Sequence, residues 1–169
     1  MKKFNFLILP FEMITSLIIG ILLICGVVAM VTNTKNELPD KFVADKEFFG
    51  DSLKKFSEVN DITNRQDENA SQEEIKKVVS LTLDSIESSK KVSDEFLEYL
   101  HPDLKNNYRE KFEKSQQLYY EGLSQANDGD NMDSENIKKQ IEAGKLMNEW
   151  LVWWRANNKV IISKAFSEN

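Results

Sequence analysis

From Phe42 to Ile162 the apolar residues of this chain recur at steps of three and four, with no strand-like alternation along the way. Steps of three and four keep side chains on one face of an α-helix, whereas a strand needs a step of two. The pattern therefore predicts an all-α domain whose helices each carry one apolar face. Such helices bury those faces most simply by packing together as an antiparallel helical bundle.

The punctuation between the stripes predicts about four helices. Phe42, Phe49, Leu53 and Phe56, flanked by Phe48 and Val59, define the first over about 40–60, and Pro39 sets it off from what precedes it. After the polar stretch "DITNRQDENA", Ser71 and Glu74 have the spacing of a capping box and open the second. Its stripe is Ile75, Val79, Thr82, Ile86, Ser89, Ser93, Phe96 and Leu100, so one helix is expected over 71–100. The serines in it leave room for a close neighbour. Pro102 and Asp103 in "LHPDL" suit the first turn of a third helix, and so short a turn makes the two helices antiparallel. The third places Leu104, Tyr108, Phe112, Ser115, Leu118, Tyr119, Gly122, Leu123 and Ala126 on one face and stops near Gly129. A fourth from about Ser134 to Lys164 completes a bundle domain over 40–164, leaving 165–169 as a tail.

The stretch "NEWLVWWRANNKVI", 148–161, puts all three tryptophans on the fourth helix. At about 100° per residue, Trp150, Trp153 and Trp154 share an arc of about 100°, with Trp154 near the centre of the apolar face and Trp153 at its edge. Burying one tryptophan contributes on the order of 4 kcal/mol, so their expected place is the core. The edge position marks Trp153, with Asn157 one turn on, as the candidate contact for a ligand or partner. Tyr120, off the apolar face of the third helix, is the candidate counterpart.

Composition changes sharply towards the N-terminus. Between Phe4 and Val31 the only charge is Glu12, and Met13–Thr32, "MITSLIIGILLICGVVAMVT", has none. Twenty helical residues span roughly 30 Å, the thickness of a bilayer's hydrocarbon core. The run is too long for the core of a signal peptide, and Val27-Val28-Ala29 is a weak cleavage site followed by more apolar residues. Lipidation at Cys25 calls for a small residue before it, and Ile24 stands there. An uncleaved single-pass membrane anchor is the expectation, with 1–32 as the membrane segment and 33–39 as a linker. Lys2 and Lys3 favour a cytoplasmic N-terminus over Lys35, Lys41 and Lys46 on the other side, by a narrow margin. The bundle would then lie outside the cytoplasm. Ser16 and Gly20 form a small-xxx-small pair with the spacing to pack a second membrane helix.

Residues 33–169 hold twenty basic and twenty-seven acidic groups, a net charge of −7 with no basic stripe, so no nucleic-acid partner is expected. Lysine outnumbers arginine nineteen to three, a bias typical of AT-rich bacterial genomes. Cys25 is the only cysteine, which rules out an intrachain disulfide. His101 is the only histidine. Glu98-x-x-His101 has the ligand spacing of di-iron bundles, but those need a second such motif, so His101 is expected at a helix end or turn. The acidic loop around Gly129 fails as an EF-hand, because Ser124 and Ala126 would fill its first and third ligand positions. No nucleophile elbow and no phosphate-binding glycine loop occurs. The expectation is a non-enzymatic, membrane-anchored, extracytoplasmic accessory protein that binds another protein, with no cofactor and no metal. The alternative is a ligand-binding module for peptide or glycan, with an aromatic pocket around Trp153.

Overall fold

A computed structural model describes residues 38–65, 71–127 and 134–166. Within them the chain forms five helices and no strand. Helix α1 (Val43–Arg65) follows a 3-10 turn at Asp40–Phe42; α2 is Gln72–Lys91 and α3 is Asp94–Leu100. Helix α4 is continuous: Leu104–Asn107 and Lys114–Asn127 are joined by a π-helical stretch, Tyr108–Glu113. Helix α5 is Ser134–Phe166. The helical bundle read from the periodicity is thus present. The apolar run 13–32, with Ser16, Gly20 and Cys25, lies outside the described residues. None of the described helices is long and apolar enough to cross a membrane.

The start of α2 is the capping box that Ser71 and Glu74 predict. Ser71 Oγ accepts from the Glu74 N–H at 3.2 Å, and the Ser71 N–H donates to Glu74 Oε2 at 2.9 Å. The Ser71 hydroxyl and backbone N–H together hold the Glu74 carboxyl below its usual range. The single helix expected over 71–100 is instead broken after Lys91. Val92 and Ser93 are extended, with ψ of 126° and 148°. Ser93 accepts from the Phe96 N–H at 3.1 Å as the cap of α3, while its own N–H donates to Asp45. A serine read as part of a helix face is therefore a helix start, because a cap pattern inside a continuous stripe does not disturb the stripe. The third helix likewise begins later than expected. Pro102 and Asp103 form a turn and Leu104 is the first helical residue.

Helices α1, α2, α4 and α5 alternate in direction, and α3 folds across one end. Asp51 and Ser52 of α1 face Ser88 and Ser85 of α2, at 2.5 Å to the Asp51 carboxylate and 2.8 Å to the Ser52 carbonyl. These buried serines are what let α1 and α2 lie close. Along α4 and α5, Lys111 pairs with Glu149 and Glu121 with Lys139, which fixes the two as antiparallel. A Cβ on Gly122 would stand 3.0 Å from Gln140 Cγ, so this glycine permits the close approach of α4 to α5.

The main core is built from α1, α3, α4 and α5 and takes no side chain from Gln72–Lys91 of α2. Phe49, Phe96, Leu97, Leu104, Tyr108, Phe112 and Ile161 are fully buried in it. A second, smaller cluster of Val59, Val78 and Leu123 fills the other end. The predicted stripe of α1 is correct throughout: Phe42, Phe49, Leu53, Phe56 and Val59 are all buried.

Candidate functional site

The tryptophans of α5 sit where the aromatic faces of α1 and α4 converge. Trp150 stacks on Trp154 with centroids 5.1 Å apart, and it lies 5.1 Å from Phe112 and 6.0 Å from Tyr108. Trp154 reaches Phe49 across the bundle at 6.3 Å. Both indoles are 1% exposed, so they are core, as their place on the helical wheel predicts. Truncation of either would cost about 3–5 kcal/mol.

Trp153 differs. It is partly buried at the edge of the core, with one neighbour on α5 and one on the α3–α4 turn: Trp150 at 5.7 Å and His101 at 5.5 Å, the latter edge-on. Asn157 is one turn further on, and its Nδ2 donates to the Trp153 carbonyl at 2.8 Å. Trp153 and Asn157 are thus adjacent, as expected. Tyr120 is not with them. It is partly exposed on α4, two turns beyond Phe112, which is itself level with Trp150; eight residues of helix displace it by about 12 Å.

His101 ends α3. Its N–H donates to the Leu97 carbonyl at 3.1 Å, and its Nδ1 accepts from the Asp103 N–H at 3.2 Å. Glu98 is turned to Lys105 at 2.7 Å, so the Glu-x-x-His spacing brings no second ligand to the ring. Among the described residues no group of three His, Cys, Asp or Glu side chains converges on a metal position.

Three features escaped the sequence reading. The first is the guanidinium of Arg109, in the π-helical turn of α4. It donates to the Ser89 carbonyl at 3.1 Å and to the Val92 carbonyl, and it pairs with Asp94 at 3.0 Å and Glu113 at 2.6 Å. It thereby closes the C-terminus of α2 and holds the α2–α3 break. The second is a buried chain of hydroxyls. Tyr108 Oη lies 2.6 Å from Ser52 Oγ, which donates to the Phe49 carbonyl. The third is the outer face of α5, where Ile141, Val152 and Val160 are 56%, 60% and 61% exposed. Their angular positions fall within about 100° of one another and face away from Trp154, with Trp153 only about 20° beyond Val160, so the helical wheel held this signal. No protein-family model, no curated protein and no solved structure matches the chain.

Proposed function

We propose that this chain is a non-enzymatic accessory protein, anchored in a membrane by residues 13–32, whose extracytoplasmic bundle binds another protein along the outer face of α5. The observation that carries this reading is the exposure of Ile141, Val152 and Val160 on a helix whose inner face is already buried. Three apolar side chains spread along about 28 Å of one helix face, with exposed Lys145 and Glu149 between them, suit an amphipathic protein partner. The absence of a charge over 13–32 supports the anchor.

The test is purification of the full chain from its native membrane in mild detergent, alongside a Val152→Asp/Val160→Asp variant. A stoichiometric partner that the variant loses while keeping its helical circular dichroism supports the reading. A wild-type chain that purifies alone, or a partner indifferent to the two aspartates, sinks it.

A second reading places a peptide or glycan subsite on Trp153 beside His101 and Asn157. It is favoured by Trp153 being the one tryptophan that reaches the surface. Trp153→Ala is then expected to abolish ligand-induced quenching of tryptophan fluorescence. A variant that still responds to the same peptides and glycans ends that reading.

A further inference from the structure

Helix α2 is seated differently from its neighbours. Its buried residues are Val78, Thr82, Ser85, Ile86, Ser88 and Ser89, so most of them carry hydroxyls. Two of these reach α1: Ser85 Oγ donates to the Ser52 carbonyl at 2.8 Å, and Ser88 Oγ to the Asp51 carboxylate at 2.5 Å. The other two turn back on α2 itself, Thr82 to the Val78 carbonyl and Ser89 to the Ile86 carbonyl. Of the buried residues of α2, only Val78 joins an apolar cluster, the small one with Val59 and Leu123. A hydroxyl that exchanges water for a protein acceptor gains less than a buried leucine or phenylalanine. Rings and aliphatic side chains thus join α1, α3, α4 and α5, whereas α2 is laid against them largely by polar contacts.

The two ends of α2 differ in the same sense. Its first residues, Gln72, Glu73 and Glu74, are exposed. At the other end the extended pair Val92–Ser93 leads into α3, whose Phe96, Leu97 and Leu100 are buried in the aromatic core. That pair is fixed on the core side, because Val92 belongs to the same core and the Ser93 N–H donates to Asp45 of α1. A few residues at the end of an element, held in place while the element beyond them is not, are where a hinge forms. Arg109 of α4 spans this point. It donates to the carbonyls of Ser89 and Val92 on one side and pairs with Asp94 on the other.

We propose that α2 is a strap, hinged at Val92–Ser93 and latched by Arg109, which opens as a unit while α1, α3, α4 and α5 keep their core. Opening exchanges the acceptors of Ser85, Ser88 and Arg109 for water and uncovers the Asp51–Ser52 face of α1. It takes no side chain out of the aromatic core, so it lies below global unfolding in free energy. Hydrogen exchange of the full chain in detergent micelles, read by mass spectrometry at rising urea below the unfolding transition, tests this. Amides of 76–89 are expected to exchange at least about tenfold faster than those of 150–162, and with the shallower urea dependence of a small opening. Ile161→Val loosens only the core, so it should quicken 150–162 by about two- to tenfold and leave 76–89 unchanged. Arg109→Ala deletes charge-assisted bonds and should quicken 76–89 by about tenfold or more. Arg109→Lys, the milder change, replaces it if helical circular dichroism is lost. Amides of 76–89 that follow 150–162 in rate, in urea dependence and in the response to Ile161→Val overturn the strap. Amides of 76–89 that stay as slow in the Arg109 variant as in wild type overturn the latch.

Discussion

The Tyr108 hydroxyl and Ser52 Oγ lie 2.6 Å apart with neither side chain exposed, and the Ser52 proton is directed to the Phe49 carbonyl. Tyr108 is therefore the donor, and Ser52 is its acceptor. Ser52→Ala strands a buried phenol hydroxyl, which is expected to cost about 1–3 kcal/mol. Tyr108→Phe leaves Ser52 still bonded to Phe49, so its cost is expected near 1 kcal/mol, or about that of one net hydrogen bond. In the Tyr108→Phe background, Ser52→Ala should cost markedly less than it does alone. Urea unfolding of the two single variants and the double variant checks this, and strictly additive effects would refute the pairing.

Burial pushes the Tyr108 phenol well above its ordinary value, and burial pushes Tyr119 up to about 12. Above about pH 10 the unfolded chain loses phenolic protons that the folded chain keeps. The stabilisation is thus complete below the unfolded value and declines as pH rises, by up to about 1.4 kcal/mol per pH unit for each tyrosine. For Tyr119 the decline ends near its folded value. The unfolding midpoint measured between neutral and strongly alkaline pH should fall, and Tyr108→Phe should make that fall shallower. An unchanged slope in the variant would exclude Tyr108 as a source.

What the sequence made legible was periodic, and what it hid was aperiodic. The faces of Phe42–Val59 and Trp150–Ile162 are set by burial that repeats every turn, and they are read from spacing alone. Ser93 was misread because a serine at a stripe position fits both a face and a cap; only the partner Asp45, 48 residues away, decides between them. Arg109 was missed for a related reason. Its role depends on the carbonyls of Ser89 and Val92, which are open to it only because the helix breaks after Lys91. At the candidate site, the edge position of Trp153 was visible on the wheel, but His101 reaches it through the α3–α4 turn, which spacing does not encode.

Arg109 supports a specific expectation. Its fork reaches two main-chain carbonyls and two carboxylates, which lysine's single ammonium cannot do together. Arg109→Ala is expected to destabilise by about 2–4 kcal/mol, since several charge-assisted bonds go at once, one of them a partly exposed pair. Arg109→Lys should recover less than half of that. Amide exchange between Val92 and Leu97 should quicken in both variants. Wild-type protection at the α2–α3 break in Arg109→Ala would mean that Ser93 and Asp45 hold it alone.

Helices α1 and α4 run parallel, because Ser52 meets Tyr108 and Phe56 meets Phe112 at 5.4 Å. One turn past that contact on each helix stand Asn60 and Gln116, which are 2% and 3% exposed. Asn60 Nδ2 and both amide atoms of Gln116 have no hydrogen-bond partner. A polar layer therefore interrupts the apolar interior, between the aromatic core and the small cluster of Val59, Val78 and Leu123. Each unsatisfied group costs about 1–3 kcal/mol. Gln116→Met keeps the length of the side chain while deleting its polar atoms, so it is expected to raise stability by about 1–3 kcal/mol in urea unfolding. A loss of stability instead would mean that interior water satisfies the amide, and water-to-amide transfer observed by NMR at the Gln116 side chain would identify it.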